Sequence, residues 1–166
     1  MAVRPDDVTD TRLKPSLLDR ITDEDPTSRE DPPVSPAQRR RECRASLMRD
    51  IEALLNAKDT LGDLPEEFRY SAHSLLRYGL PDFTAMSPSN PGDLTRIVRA
   101  VEMALKQFEP RLTRVSVSME NADRLDSGVR LSVVGLVRFG VEPEPIRFET
   151  VLKADRREFI VVGDRG

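Results

Sequence analysis

The stretch from Asn90 to Glu120, "NPGDLTRIVRAVEMALKQFEPRLTRVSVSME", changes its hydrophobic period once, and that change decides the fold class. Up to Phe108, the apolar residues Leu94, Ile97, Val98, Val101, Ala104, Leu105 and Phe108 recur with the 3.6-residue period of one helix face. Asn90 is placed to cap this helix, Pro91 suits its first position, and Asp93 lies near its positive end. Pro110 lacks a backbone donor and forces Glu109 toward an extended conformation, so the helix must stop there. From Arg114 the period is two. Val115, Val117 and Met119 alternate with Ser116, Ser118 and Glu120, the pattern of a strand with one buried face.

Working outward, the C-terminal side continues as strands. After the turn-like "NADRLDSG", Val129, Leu131, Val133, Val137 and Phe139 alternate again, in a series that Gly135 breaks. Ile146, Phe148, Thr150 and Leu152 form a third run, and "FIVV" a last one after "KADRRE". The N-terminal side is helical. In "SPAQ", Ser35 can cap, Pro36 suits the first turn, and Gln38 can return a bond to the cap. Cys43, Leu47, Ile51, Leu54 and Leu55 then form one apolar stripe, so this helix runs to about Asn56. Arg39, Arg40, Arg41 and Arg44 lie elsewhere on it, but interleaved acids and the absence of aromatics make a solvated face the better reading than a phosphate site.

Between the helices, "HSLLRYGLPDF" reads as a fixed corner. Leu75 and Leu76 fit a short helix, Gly79 its left-handed exit, and Pro81 prevents continuation. Tyr78, Gly79, Leu80 and Pro81 are its structural residues, with Tyr78 and Phe83 filling the corner. The expected fold is therefore α+β: two main helices plus a short one packed on a three- to four-stranded antiparallel sheet, with an extended N-terminal arm.

The arm is set apart by composition. Pro5, Pro15, Pro26, Pro32 and Pro33 punctuate it, with Pro36 at its border, and nine acids against five bases give residues 1–35 a charge of -4, leaving the rest near +1. Such a segment cannot bury enough surface to fold alone. One island, "KPSLLDRITDEDP", interrupts it: Leu17, Leu18 and Ile21 share a face, and Ser16 with Asp19 has capping-box spacing. A face this short either packs on its own domain or docks on another chain. We therefore divide the chain into a flexible arm, 1–35, with a docking segment at 15–22, and a folded domain, 36–163.

Composition excludes several functions. The formal net charge of -3 gives no electrostatic reason to seek nucleic acid or an anionic membrane. With Cys43 as the lone cysteine, an internal disulfide is impossible and a reducing compartment is the simpler expectation. No apolar run approaches the ~20 residues of a membrane span, and "MAVRPDDVTD" has acids where a signal peptide needs bases. Direct membrane insertion is not expected, and a cytoplasmic location is. There is no glycine-rich phosphate loop, serine elbow or CxxC, and His73 as the lone histidine suits a packed or surface position, so neither metal nor cofactor is expected. One enzymatic reading stays open: a glycosidase, with Glu109 as acid opposite Asp82 or Glu120.

Glu109 raises its own question. A glutamate at a helix C-terminus has the wrong sign for the helix dipole, so an arginine of this chain or of a partner should compensate it. On the plainer reading, Pro110 stops the helix, Arg111 complements its negative end, and Glu109 pairs with a surface base.

Taken in order, "LKPSLLDRITDEDP", "LLRYGLPDF" and "FEPRL" resemble the TssE family, baseplate subunits of bacterial type VI secretion systems, which is similar to a phage baseplate wedge protein and carries a historical "lysozyme-like" label. The resemblance covers about residues 13–162, and the corner combined with Glu109-Pro110-Arg111 is its specific part. It implies a noncatalytic assembly role: joining TssF and TssG in the wedge, with TssK as a further candidate partner, and initiating the sheath built from TssB and TssC. Glu109, Pro110 and Arg111 would form the assembly motif, and Leu17, Leu18, Asp19 and Ile21 the wedge dock. Either Val115–Glu120 or Phe159–Val162 would be an open sheet edge able to accept a strand from another chain. On that reading, Arg111→Ala should weaken assembly while sparing the isolated fold.

Overall fold

The computed structural model describes residues 21, 35–61, 68, 74–83, 85–87, 90–120, 128–138, 142–153 and 155–164. Helix α1 spans Pro36–Asn56 and helix α2 Pro91–Phe108; strands β1 (Leu112–Met119), β2 (Gly128–Val137), β3 (Glu144–Lys153) and β4 (Glu158–Asp164) follow. All neighbours pair antiparallel in the order β1-β2-β3-β4, so sequence order and sheet order coincide. Both helices lie on one face of the sheet, α2 over β1 and α1 over β4. No helix among the described residues is long and apolar enough to cross a membrane.

Local rules account for the helices. Ser35 Oγ accepts from Gln38 N at 3.2 Å, and Asn90 Oδ1 from Gly92 N at 2.9 Å, while Pro36 and Pro91 open the first turns. The side chain of Gln38 does not return to the cap; its Nε2 donates to Glu42 Oε1 at 3.1 Å, one turn along. Leu47, Ile51, Leu54 and Leu55 of α1 meet Ile97, Val101, Ala104 and Leu105 of α2 over the inner sheet face, where Val117, Leu131, Val133, Ile146, Phe148, Leu152 and Phe159 are buried. Cys43 packs half-buried against this core, as its place on the stripe implies. Arg40 is exposed, as its helix face implies, and reaches Glu144 at 3.1 Å.

Two expectations are corrected. Strand β1 begins at Leu112 rather than Arg114, because Leu112 is buried and its N–H already closes the turn onto Glu109 O at 3.1 Å. Gly135 does not break β2; it pairs with Ile146 inside the strand. It lies beside a register shift between Thr113 and Ser116, where Arg114 has φ 51° and a Cβ on Gly135 would meet Thr113 O at 3.2 Å. In the corner, the expected short helix is present as a single 3-10 turn, Leu75–Arg77, with Leu75 and Leu76 82% and 67% exposed. His73, Phe139 and the "NADRLDSG" residues 121–127 lie outside the described residues.

Candidate assembly site: the helix-to-strand junction and the sheet edges

Glu109 is buried, 5% exposed, and its compensating arginine is two residues away. Arg111 Nε meets Glu109 Oε1 at 2.7 Å and Arg111 Nη2 meets Glu109 Oε2 at 2.5 Å, a bidentate fork. Glu109 Oε1 also accepts from the Arg111 backbone N–H at 3.1 Å. The same Nη2 reaches Asp50 Oδ2 of α1 at 2.7 Å. Pro110 holds the turn that makes this fold-back possible, and the wrong-sign glutamate becomes one side of a staple joining α2, β1 and α1. Burial alone would lower the Arg111 pKa, but the bonds and charges of Glu109 and then Asp50 raise it above its ordinary value, so the guanidinium stays charged.

The corner and the junction come together here. Tyr78 stacks edge-on against Phe108, the last residue of α2, with ring centroids 5.4 Å apart. Burial first, and then the charges of Asp50 and Glu109, raise its hydroxyl pKa, partly offset by Arg111. Gly79 has φ 118°, and a Cβ there would lie 2.5 Å from the Ala57 carbonyl, which only glycine permits. That approach lets Leu80 N donate to Ala57 O and Asp59 N to Leu80 O, each at 2.9 Å. Leu80 is buried while Pro81 stays exposed. Arg77 secures the corner through Asp59, at 2.8 and 2.6 Å.

At the outer strands, polar side chains of the helices reach the backbone. Asn56, the last residue of α1, donates from Nδ2 to Phe159 O and accepts at Oδ1 from Phe159 N, both at 2.9 Å. Val161 N donates to Glu52 Oε2 at 2.8 Å. On β1, Val117 N donates to Glu102 Oε2 of α2 at 3.2 Å, while Glu102 Oε1 holds Lys106. The Lys106 hydrogen bond, and then the one from Val117, keep the Glu102 carboxyl pKa below its ordinary value against a smaller opposing effect of burial.

Of the residues singled out in the arm, Ile21 is described and is 72% exposed; Leu17, Leu18 and Asp19 lie outside the described residues. The glycosidase arrangement does not form one site. Arg111 occupies both carboxylate oxygens of Glu109, Glu120 engages Arg147 at 3.3 Å, and Asp82 lines a cleft to which Glu109 does not contribute. Sequence reasoning missed Asp50, Asn56, Glu52 and Glu102. Each is one polar residue among many on its helix, with no local mark of its partner.

The family model described as baseplate wedge protein gp25 matches residues 41–141, more than half of the chain. The chain belongs to this baseplate wedge family. Wedge proteins of this family are structural baseplate components, and the matched stretch contains the corner, the Glu109-Pro110-Arg111 junction, nearly all of α1, all of α2, β1 and β2, but neither β3 nor β4. Among solved structures, the chain is similar to one in "The baseplate complex from the type VI secretion system", at 20% identity and a TM-score of 0.46, covering 69% of this chain and 97% of that one. No curated protein matches it in sequence.

Proposed function

We propose that this wedge-family chain is a noncatalytic, TssE-like component of a type VI secretion baseplate that joins the wedge through TssF and TssG and starts the sheath. The observation that carries this reading is the state of β1. It is an outer strand launched from an ion-paired junction, and among the described residues one carboxylate, Glu102, guards its outward backbone. An incoming strand from a sheath subunit of the TssB or TssC kind would displace Glu102 from Val117 N and pair along Val115–Met119. Phe159–Val162 is the less open edge, because Asn56 and Glu52 already hold Phe159 and Val161. The Thr113/Ser116 register shift confines pairing to the later part of β1.

In this scheme Glu109, Pro110 and Arg111 fix the angle at which β1 leaves α2 and so act on assembly through geometry. The arm, 1–35, supplies the wedge dock through Leu17, Leu18, Asp19 and Ile21, and domain 36–163 supplies the sheet. The exposure of Ile21 supports a partner rather than the chain's own domain as the surface it meets. TssK is a further candidate neighbour, and the site of action is cytoplasmic, at the baseplate on the inner membrane.

Co-expression with TssF and TssG from the same locus, followed by size-exclusion chromatography, tests the wedge role: stable co-elution, reduced by Leu17→Ser with Leu18→Ser, is expected. Co-elution of neither partner with the intact chain, both being folded, would overturn it. Hydrogen exchange on the sheath-bound form should show new protection at Val115, Val117 and Met119, and unchanged exchange there would remove β1 as the accepting edge.

A further inference from the structure

A cleft of about 310 Å³ opens where the end of α1, the corner and the β3–β4 turn meet. Its floor is apolar: Leu80, Ile97 and Phe159 are buried there, with Phe83 and Met86 packed beside them. Its mouth carries Lys58, Lys153, Arg156 and Arg157 against one acid, Asp82. A local excess of three positive charges in a chain of formal net charge -3 is a concentration that the composition does not require. Nor is the charge neutralised from within. Arg156 has only the exposed Asp155 at 3.9 Å, and the side chains of Lys58, Lys153 and Arg157 have no carboxylate partner among the described residues. Arg157 is held at φ 53°, its N–H on Lys153 O at 2.7 Å, so the basic turn has a fixed backbone.

From this geometry we infer that the cleft is a socket for an acidic segment of a partner protein, which seats one large apolar side chain on Leu80 and Phe83 and sets its carboxylates against the four bases. The volume suits one aromatic or leucine side chain with its flanking backbone, at the small end of ligand pockets. Uncompensated bases around an apolar floor steer and select an acidic ligand, while the floor supplies the burial. A small anion would meet the bases but leave the apolar floor uncovered, which favours a polypeptide with an apolar side chain. The chain's own acidic arm, residues 1–35, is the competing occupant, and the test separates it from a partner. This inference stands on the cleft alone and does not need the wedge reading.

The test is selection of a random peptide display library on the full-length chain, with binding then compared on a Lys153→Glu, Arg156→Glu variant. Both positions are on the surface turn, and circular dichroism checks that the variant is folded. Enriched peptides should be acidic with one large apolar residue, should bind the variant roughly tenfold or more weakly, and should lose affinity with added salt. Amide resonances of Lys58, Leu80 and Phe83 should move on titration. Failure to enrich such peptides, equal binding to the variant, or shifts confined to another surface would each overturn the socket. A Leu17→Ser, Leu18→Ser variant that moves those same resonances with no peptide present would assign the cleft to the arm and overturn the partner.

Discussion

Along β4, Asn56 and Glu52 of α1 place three hydrogen bonds of 2.8 to 2.9 Å on the outward backbone; along β1, Glu102 of α2 places one, at 3.2 Å. The two edges belong to the same sheet and each lies under a helix, so neither strand order nor helix coverage distinguishes them. What differs is that β4 has an amide, Asn56, in addition to a carboxylate, whereas β1 has the carboxylate alone. An amide engages both the donor and the acceptor of one residue, whereas a carboxylate can only accept and leaves neighbouring carbonyls to water or to another chain. A closed edge resists added strands and a lightly latched one admits them, so a sheet of this kind can be directional in what it binds.

The largest expected effect comes from breaking the junction that launches β1. Arg111→Ala leaves Glu109 buried without its partner, and chemical denaturation should show a loss of about 3 kcal/mol, the low end for breaking a buried pair because Arg111 is itself partly exposed. This reverses the expectation from sequence that the isolated fold would be spared. A loss below ~1 kcal/mol would show that the staple is dispensable and that Glu109 finds water. Next, Asn56→Ala should cost about 2 kcal/mol, since both backbone groups of Phe159 lose their partner at a part-buried site. In exchange experiments β4 should then lose protection ahead of β1; the reverse order would undo the comparison.

Glu102→Ala should be mild, under about 1 kcal/mol, because its single bond to Val117 is long and the carboxylate half-exposed. Its signature is local: faster exchange at Val117 and tighter capture of an added strand. The smallest effect is on pH. A carboxyl whose folded pKa lies below its ordinary value contributes stability above that ordinary value and loses it as pH falls through the folded one. The protection factor of Val117 should therefore be level above about pH 5 and fall below about pH 4. Glu102→Gln should abolish that dependence, and persistence of the slope in Glu102→Gln would assign it to another group.

How much of this was readable before the fold was known depends on the distance over which each feature is determined. The caps at Ser35 and Asn90, the stop at Pro110, the strand period after it and the special backbone of Gly79 were all legible, because each is set by residues within a turn of one another. At Glu109 the electrostatic problem was legible and half its solution, Arg111, adjacent. Its burial and the third member, Asp50, were not, since Asp50 is 61 residues away and carries no pattern that marks it. Leu75 and Leu76 show the same limit from the other side: two apolar residues in a short helix carry no mark of exposure, and only the packing of the corner leaves them exposed. Glu149 is the converse, a charged residue at an outward strand position that the structure buries to 2% beside Arg130 at 2.6 Å.

Sequence by itself determined the element order, the sheet with its helices on one face, and the resemblance carried by the corner and the Glu109-Pro110-Arg111 turn, because helix and strand periods and turn chemistry are local and survive without partners. The tertiary structure alone decided which edge is closed and which is latched, and where four bases converge on an apolar cleft. Those depend on side chains from segments as much as 109 residues apart meeting at hydrogen-bond distance, and hydrophobic periodicity records which face of an element is buried but not what stands across from it.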